Sequence, residues 1–279
     1  MNKLITTLAA AASLAMASVA SSDQAKAGTV LDHVLATKTL TVAVGTDWGP
    51  ISHLDENHEL VGYDVDIAKQ IAKSLGVEAK FVTPGWDIIT GGKWQGRWDV
   101  AMGQMTPTKA RAEVFDFPAF TIYSPASAVV HKDSKATKLS DLEGKVVAVA
   151  SGTGPEAYAN HNLTLDWENA SPVHYQFKPG QVKTYGTTNI AFDDLRLGDG
   201  VRLEAVLTDA SVARDSIKAG YPLRILEPPL FYSPGAIAIL PGDKEFSDRI
   251  AAAVKELKDN GTLAKLSIKW YGVDYTVEK

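Results

Sequence analysis

Gln104-Met105-Thr106-Pro107-Thr108-Lys109-Ala110-Arg111 is the stretch on which the reading of this chain turns. Before it, Trp98-Asp99-Val100-Ala101-Met102 reads as a short buried strand; after it, Val114-Phe115-Asp116-Phe117-Pro118 returns the chain to extended structure. Polar groups and one arginine therefore lie just past a strand's carboxyl end, the edge at which open α/β sheets bind ligands. Arg111 carries a planar fork suited to a carboxylate, and Thr106 adds a hydroxyl. The same residues also suit an ordinary helix-start loop with a solvated arginine, since surface arginines are common.

Upstream, strand and helix alternate. Residues 40–44 form a strand ending at Gly45-Thr46-Asp47-Trp48-Gly49-Pro50, and residues 54–61 read as a polar turn. Residues 64–75 predict a helix, with Ala68, Ile71, Ala72 and Leu75 on one face and Gly76 as its cap. Residues 78–82 are a second strand, 86–93 a short helix and 99–102 a third strand. Strands separated by helices imply a parallel sheet.

Downstream, a second α/β unit begins after Tyr123-Ser124-Pro125. Residues 145–150 are nearly continuously apolar, as buried parallel strands are. Ser151-Gly152-Thr153-Gly154-Pro155 then turns into a helix from Glu156, presenting backbone N–H groups to an anion. No Gly-Lys-Ser/Thr follows, so this is not a P-loop. Residues 162–188 suggest a long loop or irregular hairpin. A helix over 190–197 and a strand over 205–207 follow, and Thr208-Asp209 lies at that strand's carboxyl edge. Asp209 fits equally a ligand site and a cap for the helix from Ala210. Phe231-Tyr232-Ser233-Pro234-Gly235 is a second crossing point, followed by a strand over 236–240. Two helices close the chain: one buries Phe246, Ile250, Val254 and Leu257; the other, capped by Thr262, buries Leu263, Leu266 and Trp270.

Residues 1–27 read as a secretory signal. Lys3 supplies the positive start, residues 4–20 are apolar and Ala-rich, and Ala25-Lys26-Ala27 offers a cleavage site, with Ser18-Val19-Ala20 as an alternative. A membrane anchor is the rival reading, disfavoured because Ala is a weak membrane former. The chain contains no Cys, hence neither a lipid-anchored Cys nor a disulfide. A net charge of −5 argues against nucleic acid and anionic membrane surfaces.

Together these motifs resemble the bacterial extracellular solute-binding proteins, family 3, the periplasmic receptors of polar amino acid ABC transporters. The resemblance is carried by Gly62-Tyr63-Asp64-Val65-Asp66-Ile67 with Ile71-Ala72 and Leu75, and by Met105-Thr106-x-Thr108-x-x-Arg111 with Asp116-Phe117. Further matches are Val147 to Gly154, Thr208-Asp209, Asp259 to Thr262 and Lys269 to Gly272. It implies a type II periplasmic-binding-protein fold: two α/β lobes joined by two crossing strands, with the ligand cleft between them. Lobe one would comprise residues 28–120 and 233–279, and lobe two residues 121–232.

By the same resemblance, Arg111 binds an α-carboxylate assisted by Thr106. Thr153 and neighbouring N–H groups, Gly152 among them, hold the carboxylate from lobe two. The Gln104 main chain and Asp209 take the α-ammonium. Trp48 and Trp86 map to an aromatic sandwich for the ligand's side group, with Asp47 beside it. Three departures stand out: a short 47–50 loop that puts Asp47's reach in doubt, a long 162–188 region, and Gln104 where a small residue is common.

The implied partners are an amino-acid-like ligand, with a cationic or planar side group favoured by the two indoles, and the membrane permease of an ABC importer. The implied state is a periplasmic monomer without cofactor or nucleic acid. The rival class is an enzyme resembling cyclohexadienyl dehydratases, with Glu156 as proton donor. Glu156 equally suits the first turn of its helix. His53, Asp55, Glu56 and His58 form a polar turn without metal-ligand spacing, so no metal is expected.

Overall fold

The structure is a computed structural model and describes residues 29–277. The expected leader, residues 1–27, lies outside the described residues.

The chain opens with helix α1 (Thr29–Thr37) and strand β1 (Thr39–Ala43), then a hairpin of β2 (His53–Leu54) and β3 (Leu60–Val61). It continues through α2 (Tyr63–Ser74), β4 (Glu78–Val82), α3 (Trp86–Thr90), β5 (Val100–Met105) and α4 (Lys109–Ala112) into the long β6 (Asp116–His131). Next come β7 (Val146–Ala150), α5 (Gly154–Ala159), β8 (Gln181–Tyr185), α6 (Thr188–Leu195), β9 (Ala205–Asp209), α7 (Ala210–Lys218) and β10 (Leu223–Ile225). Strand β11 (Phe231–Ile239) returns the chain to α8 (Lys244–Asp259) and α9 (Thr262–Tyr271).

Two parallel units share one sheet of order β4-β1-β5-β11-β6-β9-β7-β8. Strand β1 pairs in parallel with β4 and β5, and β7 in parallel with β8 and β9. The long β6 and β11 run antiparallel to each other and join the units: β6 pairs with β11 over its first part and with β9 over its second. The packing divides the same way. Leu40, Val42, Ile67, Ile71, Ile237 and Phe246 belong to one buried cluster; Val147, Tyr158, Leu207 and Leu226 belong to another. Burying these side chains at about 1.5–3 kcal/mol each holds each lobe together. No described helix is long and apolar enough to cross a membrane.

Several local expectations need correction. The 54–61 turn is a hairpin. Helix α3 ends at Thr90 because Gly91 and Gly92 follow, Gly92 at φ +70°. The crossing point at 231–235 and the strand expected after it form one strand, Phe231 to Ile239, with β6 paired along it. Gly261, left-handed at φ +75°, occupies the cap position before Thr262. Helix α1 was not anticipated. Nor was β8, which lies within the supposed loop of 162–188 and pairs with β7. The rest of that region reaches lobe one: Lys109 N–H donates to the Thr164 carbonyl at 3.1 Å, and Asp166 N–H to the Pro107 carbonyl at 3.2 Å.

Candidate functional site

The opening stretch begins inside β5, which extends through Met105, and its polar groups emerge at the strand's end as expected. Gln104 adopts φ +52°, a left-handed conformation uncommon for a residue with a Cβ. Its side-chain nitrogen donates to the Tyr271 hydroxyl. Thr108 caps α4, its Oγ accepting the Arg111 N–H at 3.3 Å. This cap directs Arg111 into the cleft between the lobes. There Nη1 donates to the Thr106 carbonyl at 2.7 Å and Nη2 to the Gly152 carbonyl at 2.6 Å. The guanidinium lies 5.7 Å from the Trp86 ring centroid. Burial lowers its pKa to about 10, so it stays cationic at neutral pH. Among the described residues no carboxylate pairs with it, which leaves a half-buried cation in need of an anion.

Opposite, Thr153 caps α5. Its hydroxyl donates to the Ala150 carbonyl at 2.7 Å and accepts the Glu156 N–H at 3.3 Å. Gly152, at φ +71°, turns its N–H away from the cleft onto Glu156 Oε2 at 2.7 Å. Its carbonyl accepts from both Arg111 and Trp86 Nε1. The Gly152 N–H is therefore engaged within the protein and not presented to an anion, and Gly152 is absent from the cavity lining. Glu156 is engaged as well, its other oxygen accepting from Thr184 Oγ at 3.2 Å. Asp209 caps α7: Oδ1 accepts the Ser211 N–H at 2.7 Å and Oδ2 the Ser124 hydroxyl at 2.6 Å. The capping role of Asp209 is present, and the same carboxylate lines the cavity.

The cavity measures ≈ 130 Å³ and brings together Asp47, Trp48, Trp86, Gln104, Thr106, Arg111, Thr153 and Asp209. The short 47–50 loop does reach inward. Burial raises the Asp47 pKa, partly offset by the Thr187 hydroxyl, and the Asp47 carbonyl accepts from Asn189 Nδ2 across the cleft at 3.0 Å. The two indoles are not opposed faces. Their centroids are 5.3 Å apart at an interplanar angle of 90°, so one presents a face and the other an edge. Both stand on Gly103, where an added Cβ would lie 2.6 Å from Trp48 and 2.8 Å from Trp86. Each also packs against core residues, so the pocket and core readings coexist.

Ser124, Ser233, Thr187 and Thr188 line the cavity without having been singled out. Thr187 caps α6 just past the end of β8, the position that Thr153 holds after β7. Ser124 and Ser233 lie on the two crossing strands. In the 53–58 turn, His53 Nδ1 bonds the Gly49 carbonyl, and Asp55 accepts the Asn57 and Glu59 N–H groups. Among the described residues no group of three or more His, Asp or Glu is placed to hold a metal.

The family model of the bacterial extracellular solute-binding proteins, family 3, matches residues 40–273. Among curated relatives, the L-cystine-binding protein TcyJ of Escherichia coli (strain K12) is 29% identical over 250 residues, covering 88% of each chain. Two solved structures are similar throughout. An ancestral arginine-binding protein bound to arginine is 32% identical with a TM-score of 0.72, covering 84% of this chain and 99% of that one. The ancestral amino acid-binding protein AncCDT-1, a precursor of cyclohexadienyl dehydratase, is 30% identical with a TM-score of 0.74, covering 87% of this chain and 100% of that one.

Proposed function

This chain belongs to the bacterial extracellular solute-binding proteins, family 3, and on that premise we propose that it captures an amino acid, or a close analogue, for an ABC importer by closing two lobes around it. The observation that carries this reading is the cavity itself. A guanidinium without a carboxylate partner (Arg111) and a carboxylate (Asp209) face one interlobe space, as a zwitterion's two charges require. Lobe one comprises residues 28–120 and 233–279, and lobe two residues 121–232. Arg111, Thr106 and Thr153 take the α-carboxylate; Asp209 and the Gln104 carbonyl take the α-ammonium.

Asp47, Trp48 and Trp86 receive the side group. An indole face and edge beside a carboxylate favour a cationic or planar group, so arginine or another basic amino acid comes first. The arginine-bound ancestral relative supports that order, while the cystine-binding relative keeps an extended, double-ended amino acid in view. Glu156, the acid a dehydratase reading calls on, is engaged by Gly152 N–H and Thr184, which supports a binding protein over an enzyme. The protein needs no cofactor, works as a periplasmic monomer after removal of residues 1–27, and delivers its ligand to a membrane permease. A thermal-shift screen of amino acids tests the reading, because a ligand that binds only the native state raises the melting temperature. Basic amino acids should give the largest shifts, and no shift with any amino acid would overturn it.

A further inference from the structure

The cleft does not end at the two tryptophans. Beyond them lies a second compartment of ≈ 390 Å³. The two share a wall of Asp47, Trp48, Trp86, Ser151, Gly186 and Thr187. The groups that suit an amino-acid head, Arg111, Asp209 and Thr153, line the inner cavity alone. The outer compartment instead adds Asp87, Thr46 and Thr83 to the shared wall, and no Lys or Arg lines it.

Following the cleft outward, a bound molecule would meet a cation and an anion for its head, then an aromatic collar, then a chamber whose charged groups are the carboxylates of Asp47 and Asp87. We propose that the physiological ligand is elongated: its α-amino-acid head occupies the inner cavity, and a second end bearing an ammonium or guanidinium group passes Trp48 and Trp86 into the outer compartment. This rests on the amino-acid reading above and extends it to a class, the double-ended amino acids with a cationic far end. A net-acidic chamber attracts such an end, whereas a neutral end gains only packing. Asp87 also stands in the first turn of α3, where an acid is favourable by itself. That role makes no demand on ligand length, so the two accounts separate by experiment.

Calorimetric titration of the intact mature protein with L-arginine, L-lysine, Nε-acetyl-L-lysine and Nε-glycyl-L-lysine separates them. The last two extend lysine into the outer compartment and differ at the far end, which is neutral in one and an ammonium in the other. Nε-glycyl-L-lysine should bind about fivefold or more tighter than Nε-acetyl-L-lysine, the scale of one partly exposed charge pair. Asp87→Asn should bring the two within about twofold of each other, on the same scale. Equal affinities in the wild type, an unchanged ratio in Asp87→Asn, or exclusion of both extended ligands while arginine or lysine binds would overturn the proposal. Failure of all four to bind would overturn this proposal, whereas the amino-acid reading falls only if no amino acid raises the melting temperature.

Discussion

Trp86 and Gly152 belong to different lobes, and Trp86 Nε1 donates to the Gly152 carbonyl oxygen at 2.9 Å. Arg111 Nη2 donates to that same oxygen at 2.6 Å, so one carbonyl of lobe two holds two donors of lobe one. Trp86 thus acts through its N–H as well as its ring. Trp86→Phe keeps an aromatic surface and removes the donor. It should weaken ligand binding by about 1 kcal/mol, or about fivefold, the net value of one hydrogen bond. Trp86→Ala should cost about 2 kcal/mol or more for a cationic ligand, because the ring is lost too. Calorimetry on both variants checks the order; wild-type affinity in Trp86→Phe would remove the hydrogen bond from the closure.

Arg111→Ala should cost about 2–5 kcal/mol of binding, since the ligand's carboxylate would be left buried and unpaired. Arg111→Lys should recover only part, because the forked geometry is lost. Direct titration of both variants is the check, and near-native affinity in Arg111→Ala would take Arg111 out of the site.

Gly103→Ala places a methyl group within 2.8 Å of both indoles, so at least one ring must move. Overpacking of this kind costs about 1–3 kcal/mol. Affinity should fall more steeply than the melting temperature, because the displaced rings line the cavity. A variant that loses stability and keeps its affinity would make the tryptophans core residues alone.

Asp64 is buried, and neither of its carboxylate oxygens has a hydrogen bond of good geometry. Burial raises its pKa to about 7, with the nearby Gln104 backbone pulling the other way. The folded protein therefore holds this proton between about pH 4 and 7, where the unfolded chain has already lost it. Stability from this group is present at low pH and falls as pH rises through that window, by about 4 kcal/mol at most. Asp64→Asn should gain on the wild type in melting temperature as pH goes from 4 to 8. A difference between the two that stays constant with pH would contradict the assignment.

The strands β1, β7 and β9 were legible from apolar residues mixed with β-branched side chains, as in strands buried on both faces, and β5 from its short Val100-Ala101-Met102 run. Strand β8 was not. It lies at the sheet's edge, and Gln181-Val182-Lys183-Thr184-Tyr185 has no buried residue to mark it. With β8 unread, the end that places Thr187 in the cavity went unread as well. Arg111, Thr153, Asp209 and the tryptophans could be picked out because each stands at a strand-to-helix junction. What they touch was not legible, since it depends on residues distant in sequence: the missing side chain of Gly103 leaves room for both indoles. A nearer signal was available for Gly152. Thr153-Gly154-Pro155-Glu156 has capping-box spacing, in which the acid reaches back to an N–H at the helix start.

The central claim, that this cleft closes on an amino acid with a cationic or planar side group, is tested most directly by one calorimetric competition. The mature protein is titrated with arginine, lysine, phenylalanine, alanine and glutamate under identical conditions. The account predicts that arginine or lysine binds tightest and that alanine and glutamate bind weakest, since neither uses the indoles and glutamate meets Asp47. Tightest binding of glutamate or alanine would contradict it.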